Sequence, residues 1–206
     1  NVQTMLPALY GKTPRAQVER RWKDQDPVGR TASVILERAL QFEIDHYGEF
    51  DAAARGAVLD RLLPGRGTTW ARFETAPVIL ADGQPGPEQG KTPVDYVFWK
   101  DFRCSPARNW EEVTWVARRV YMSRGEGLER FGEDFKDVPL THEPIGIDDL
   151  KNQGSSQSDI ESLKKAPVWE IWDKSSKFVY WVAEGYFTLL DHKPDPYGLD
   201  GFWPCP

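Results

Sequence analysis

Val168-Trp169-Glu170-Ile171-Trp172, then Asp173-Lys174-Ser175-Ser176, then Phe178-Val179-Tyr180-Trp181-Val182 places two aromatic and β-branched runs around a polar turn. Side chains of those types fit a half-buried pleated surface, and turn formers between two such runs are the signature of a β-hairpin. A third strand is expected over residues 186–190, after Glu184-Gly185. Working upstream, a longer strand is expected from Val113 through Trp115, Ala117 and Arg119 to Tyr121, and another where Val94, Tyr96 and Phe98 alternate with Asp95, Val97 and Trp99. After Gly67, Trp70, Arg72 and Glu74 alternate with Ala71 and Phe73, which reads as one more strand. Residues 81–90 are rich in turn formers and have almost nothing to bury, so a mobile loop is expected between two strands.

The chain begins differently. Asp26-Pro27 predicts a helix start, with Asp as N-cap and Pro pre-set at the first helical position. Val28, Ala32, Ile35, Leu36, Ala39, Leu40 and Phe42 follow at mostly helical spacings, and Gly48 supplies a stop, which predicts a helix with one buried face. A tight turn then leads to a second helix, capped by Asp51 and carrying Ala54, Val58, Leu59, Leu62 and Leu63, that ends at Pro64-Gly65. Ser123-Arg124-Gly125-Glu126 fits a capping box and opens a short helix to about Phe131. Residues 147–165 read as a helical connector interrupted by Gly154-Ser155-Ser156. Helices first, then strands interrupted by helices, is the order of an α+β protein. We expect one domain over residues 1–206: N-terminal helices, about 1–66, packed on a mixed, mainly antiparallel sheet in a strand-rich part, about 67–206, with the C-terminal hairpin.

Lys and Arg number 26 against 32 Asp and Glu, a net charge of −6, which argues against a surface built to grip a polyanion. No apolar run approaches the about 20 residues of a membrane span. The chain begins Asn1-Val2-Gln3-Thr4-Met5 and ends Phe202-Trp203-Pro204-Cys205-Pro206, and both ends read as cuts within a longer protein. Cys104 and Cys205 are too few for a disulfide framework or a four-ligand zinc site; reduced thiols are the preferred reading and one bridge between them is the alternative.

Glu43, His46 and Glu49 are three apart, a spacing that can hold zinc, but Glu49 follows Gly48, where the helix should have ended, and a solvated face is preferred. His142-Glu143 and Asp191-His192 sit near prolines in expected loops, with no nucleophile turn such as G-x-S-x-G. The segment from Leu63-Pro64-Gly65-Arg66-Gly67 to Thr68-Thr69 lacks the glycine spacing and the Lys of a phosphate-binding loop and is expected to be a tight helix-to-strand connection. Arg20-Arg21-Trp22-Lys23 and Trp115-Val116-Ala117-Arg118-Arg119 combine cations with aromatics, as single-strand stacking surfaces do. In a strand, however, Arg118 and Arg119 point to opposite faces, so structural ion pairing is expected. Nine Trp among many carboxylates is also the equipment of a glycoside hydrolase, the enzymatic alternative. Trp169, Trp172 and Trp181 fall within the hairpin, where cross-strand packing accounts for them. No catalytic, cofactor-binding or metal-binding residue is assigned, and no cofactor is expected.

Several phrases carry a family resemblance. They are Asn1-Val2-Gln3-Thr4 with Pro7-Ala8-Leu9-Tyr10, Asp26-Pro27-Val28-Gly29-Arg30, Leu62-Leu63-Pro64-Gly65-Arg66-Gly67, and Ser105-Pro106-Ala107-Arg108 with Trp110-Glu111-Glu112-Val113. Trp115-Val116-Ala117-Arg118, Val168-Trp169-Glu170-Ile171-Trp172-Asp173-Lys174 and Trp181-Val182-Ala183-Glu184-Gly185-Tyr186 complete the set. In this order they resemble the portal proteins of tailed bacteriophages of the short-tailed type. The resemblance implies a subunit of a ring, usually a dodecamer, at one capsid vertex of the virion, assembled in the host bacterial cytoplasm. A separate ATP-driven terminase moves double-stranded DNA through such a ring, and the DNA passes through without specific binding. It also meets capsid and scaffold proteins and tail adaptor proteins, and performs no chemistry itself. Family members are much longer, so the chain corresponds to the outer, wing-type portion, without the stem, clip and crown, and no channel residue is carried over. The remaining alternative is a free-standing binding module.

Overall fold

The computed structural model describes residues 2–20, 26–46, 49–76, 86, 89–143 and 161–196. It is an α+β protein, as the pattern of elements requires. The chain forms two compact units, Asn1–Trp99 and Lys100–Pro206. The break therefore falls after about four strands, where the sequence reading placed the change of character at about residue 66.

In the first unit α1 spans Val2–Leu9, α2 Pro27–His46 and α3 Glu49–Leu62. Asp26 caps α2 as expected: its carboxylate accepts from the backbone N–H of Val28 at 3.1 Å and of Gly29 at 3.0 Å. Asp51 does not cap α3, which begins two residues earlier. It stands in the first turn, where it accepts from Thr13 Oγ1 at 3.2 Å and Arg55 Nε at 2.8 Å. The expected buried face of α2 is also corrected: no residue of this helix is buried. Periodicity registers an apolar stripe but not what covers it. The turn expected between the two helices lies at residues 47–48, outside the described residues.

The strand expected over residues 70–74 is two strands. β1, Thr68–Ala71, pairs antiparallel with β4, Val94–Val97, whereas β2, Glu74–Ala76, pairs antiparallel with β3, Gln89–Lys91. Arg72 sits at the break, its side chain pairing with Asp95 at 2.6 Å and with Glu74. Gln89 and Gly90, expected in a loop, belong to β3; the rest of that stretch, apart from Gly86, lies outside the described residues. α3 packs on the β1–β4 ribbon. It is tied there by its buried Asp60, which accepts from Tyr96 Oη at 2.6 Å and from the Trp99 N–H at 3.0 Å.

The second unit is one antiparallel sheet in the order β5-β6-β7-β8-β9: Phe102–Cys104, Trp115–Met122, Ala166–Asp173, Phe178–Ala183 and Leu189–Pro194. Every described strand pair is antiparallel, so the mixed component is not seen. The hairpin is present, with Asp173 opposite Phe178 and Lys177 left-handed at φ 58° to close the turn. β6 starts at Trp115 because Val113 instead closes the 3-10 turn Trp110–Glu112. The third hairpin strand is corrected from residues 186–190 to Leu189–Pro194. Gly185 turns the chain at φ 76°, and the Tyr186 N–H returns to the Ala183 carbonyl, which leaves Phe187 fully exposed in the connection.

α4, Arg124–Phe131, carries the expected capping box: Ser123 caps the helix and its N–H and Oγ both donate to Glu126 Oε2 at 2.8 Å. This helix packs on β6, and Phe131, Phe135 and Val138 join Val116, Val168, Val179 and Leu190 among the buried apolar residues of the unit. Most of the expected helical connector lies outside the described residues; Glu161, Ser162 and Leu163 are helical, and Lys165 bridges to His142.

Candidate functional site

Strand alternation sends neighbouring residues of β6 to opposite faces of the sheet, and the two arginines at its centre follow that rule. Arg118 lies directly opposite Glu170 of β7, Nε to Oε2 at 2.9 Å, and the other carboxylate oxygen of Glu170 accepts from Trp172 Nε1 at 2.8 Å. This face holds the buried Trp172 and Trp181.

Arg119 points to the other face and meets two acids. Asp101, in the 3-10 turn Trp99–Asp101, accepts from Arg119 at 2.6–2.8 Å and from Tyr121 Oη at 3.1 Å, all at Oδ1. Glu184, just beyond β8, accepts at Oε1 from Arg119 Nη1 at 3.0 Å and from Trp169 Nε1 at 2.7 Å. The guanidinium lies 5.2 Å from the Trp169 ring centroid and 5.3 Å from that of Tyr121. Burial alone would lower the Arg119 pKa, but the hydrogen bonds to Asp101 and Glu184 outweigh it and the value is raised. The Tyr121 phenol is pushed up by burial and by Asp101, so it stays protonated and serves as a donor. One cation is thus shared between two carboxylates, whose oxygens are further occupied by a phenol and an indole. Such an arrangement locks 3-10 turn, β6, β7 and the end of β8 together.

The expected structural ion pairing of Arg118 and Arg119 is therefore observed, as is the packing of Trp169, Trp172 and Trp181 within the sheet. In the other cationic cluster Arg20 reaches the Asp26 carbonyl at 2.9 Å, and residues 21–23 lie outside the described residues. Glu43 and His46 belong to α2, whereas Glu49 opens α3, so the three do not share one helix; His46 Nδ1 is 3.0 Å from the Phe42 carbonyl oxygen and its ring stacks on Phe42. Among the described residues no group of three or more His, Cys, Asp or Glu side chains is placed to hold a metal ion.

Two histidines expected in solvated loops are placed otherwise. His142 is half-buried, its ring 4.0 Å from that of Tyr121, because its backbone pairs with Lys165 beside the sheet. His192 is exposed but lies on β9 and not in a loop, opposite Tyr180, its ring 6.4 Å from that of Tyr180 and 6.0 Å from that of Phe178. The stretch from Leu63 to Thr69 is the expected connection from α3 to β1. Gly65 turns at φ 92°, and a side chain at Gly67 would strike the Ala57 carbonyl, so each glycine has a backbone reason. Cys104 lies on β5, and Cys205 is outside the described residues.

Asp60, Asp101, Glu170 and Glu184 hold the polar architecture, yet none had been singled out for it. Their partners are far away in sequence, 36 residues for Asp60 and Tyr96 and 65 for Arg119 and Glu184, and no local spacing encodes such pairings. No helix of the described residues is long and apolar enough to cross a membrane. No protein-family model and no curated protein sequence matches the chain.

Proposed function

We propose that the chain is the wing-type portion of a portal-ring subunit of a short-tailed bacteriophage, a structural part of the conduit for double-stranded DNA and of the tail attachment point. The observation that carries this reading is the ordered run of phrases from Asn1 to Tyr186 that resemble that family. Three of them, at Trp115, Val168 and Trp181, fall on the adjacent strands β6, β7 and β8, as phrases of one structural unit would.

The charge distribution supports the same reading. Arg118 and Arg119 are held in ion pairs, and a portion of net charge −6 does not hold phosphate as a basic surface would. In this reading terminase, capsid, scaffold and tail adaptor proteins are the partners, and the protein is not an enzyme.

The test is the complete reading frame. A continuation with long stem-like helices, whose purified product forms closed rings by electron microscopy, dodecameric as in that family, is the expected result. A frame that stops at Pro206, or a longer product that stays monomeric, would overturn the proposal.

A further inference from the structure

The five-stranded sheet has β5 and β9 at its two edges, and among the described residues no strand pairs with the outer side of either. An edge left uncovered is a template on which another chain can add a strand. β9 is the longer of the two, six residues against three, and His192, Lys193 and Pro194 on it are exposed. Which of its backbone groups face outward follows from its pairing with β8. The Asp195 N–H donates to the Lys177 carbonyl at 2.9 Å, so the hydrogen-bonded pairs along this ribbon are Asp195 with Lys177, Lys193 with Val179 and Asp191 with Trp181. His192, opposite Tyr180, and Pro194, opposite Phe178, are the positions in between, and their backbone groups point away from β8.

Neither of these two positions offers a donor. Pro194 has no N–H, and the His192 N–H donates at 2.8 Å to Oδ1 of its own neighbour Asp191. The other oxygen of Asp191 lies 2.9 Å from Lys193 Nζ, which steadies the carboxylate from its far side. Toward the start of β9 the register shifts between Trp181 and Val182, an irregularity that interrupts regular pairing. From Asp191 to Pro194 an incoming strand therefore meets carbonyls and no donor, whereas a ladder needs both. The opposite edge repeats the device with donor and acceptor exchanged. The Ser105 N–H donates to the Trp115 carbonyl at 3.0 Å, which makes Phe102 an outward-facing position of β5, and the Phe102 carbonyl accepts from Arg103 Nη1 at 2.9 Å.

We propose that the Asp191 carboxylate is a lock on the β9 edge: by taking the His192 N–H it keeps a second copy of the chain from adding its own β9 to this sheet. An opened edge strand is its own antiparallel complement. With His192 of one copy opposite His192 of another, the two residues exchange both N–H···O bonds about a two-fold axis. The lock is a property of this one sheet and does not rest on the portal reading.

Amide hydrogen exchange of the 206-residue chain reads the lock directly. The His192 amide should exchange about ten-fold faster in Asp191→Ala than in the parent, the share of one hydrogen bond. Lys193→Ala, which leaves the acceptor in place, should match the parent. Asp191→Ala with Pro194→Val supplies both outward donors. Because both substitutions fall on the edge, the far-ultraviolet circular dichroism should be unchanged. At about pH 8, where the facing histidines are neutral, the double variant should dimerise in sedimentation at least about ten-fold more tightly than the parent. Its His192 amide should become protected again as concentration rises, the mark of a strand added at this edge. The proposal is overturned by a parent His192 amide as fast as that of Asp191→Ala, or by Lys193→Ala opening it equally. A double variant that associates no more than the parent, or that associates with its His192 amide still fast, overturns it as well.

Discussion

Arg118 and Glu170 face each other directly across β6 and β7, Nε to Oε2 at 2.9 Å, with their side chains only 12 % and 11 % exposed. A pair this sheltered has lost most of its hydration, and its attraction does little more than offset that loss. Removing one partner leaves the other charge stranded, which costs about 3–5 kcal/mol. Glu170→Ala should therefore lower the unfolding free energy by about 3 kcal/mol, with Trp172 Nε1 losing its acceptor as well. Replacing both, as in Arg118→Met with Glu170→Leu, should recover part of that loss in chemical denaturation. A double variant less stable than either single one would show that the pair itself is strongly favourable.

Two glycines of α4 should respond in opposite directions to the same substitution. Gly125 has open space where a Cβ would go, so Gly125→Ala should gain about 0.5–1 kcal/mol from helix propensity. Gly127 is buried against the Phe135 ring, which a Cβ there would overlap. Because Phe135 is itself fully buried, the ring cannot swing into solvent, and Gly127→Ala should cost about 2 kcal/mol. Thermal unfolding of the two variants, side by side, measures the difference.

The short helix α4 was legible to the residue because a capping box is a local device: Ser123 and Glu126 recognise each other through one turn of backbone. The hairpin and the start of α2 were legible for the same reason. The long-range pairings were not. Whether β1 continues into β2 depends on Arg72 meeting Asp95, and the exposure of α2 depends on where segment 16–20 lies, neither of which a window of neighbouring residues contains. At the polar cluster, alternation placed Arg118 and Arg119 on opposite faces but could not name Asp101 and Glu184 as the acids awaiting Arg119.

The capping box also sets a pH dependence. Backbone and side-chain hydrogen bonds from Ser123 hold the Glu126 carboxyl below its ordinary range. A depressed carboxylate contributes stability that is fully present above its unfolded value, about 4.3, and is lost as pH falls through the lower folded value. Ser123→Ala should cost about 1 kcal/mol at neutral pH, as loss of a cap does. The gap from the parent should narrow below about pH 4, where Glu126 is protonated in the unfolded chain. In NMR titrations the Glu126 carboxyl of the variant should move up only part of the way, because the backbone N–H of residue 123, the larger cause, still donates to it while the hydroxyl is lost. A carboxyl that did not move at all would show that the Ser123 hydroxyl contributes nothing to the depression.

Double-stranded DNA should bind weakly at physiological salt, and the reason lies in the sheet as well as in the total charge. A duplex gains affinity when free cations neutralise its phosphates and release counterions, with log K falling by about 0.9 per phosphate contacted for each decade of salt. Arg118 and Arg119 are the only adjacent cation pair on the described strands beside an aromatic run, and each is held by at least one carboxylate, Glu170 for the first and Asp101 and Glu184 for the second. Turning either toward a phosphate would strand those acids, so the repulsion of a chain with net charge −6 is not locally relieved. Titration with labelled duplex should give a dissociation constant in the high micromolar range or weaker, about that of non-specific contacts, with a shallow salt slope. Asp101→Asn should strengthen it slightly by loosening Arg119. A sub-micromolar constant with a slope of several units would show that the cations lie elsewhere on the surface and would favour a gripping DNA-binding module over the proposed conduit.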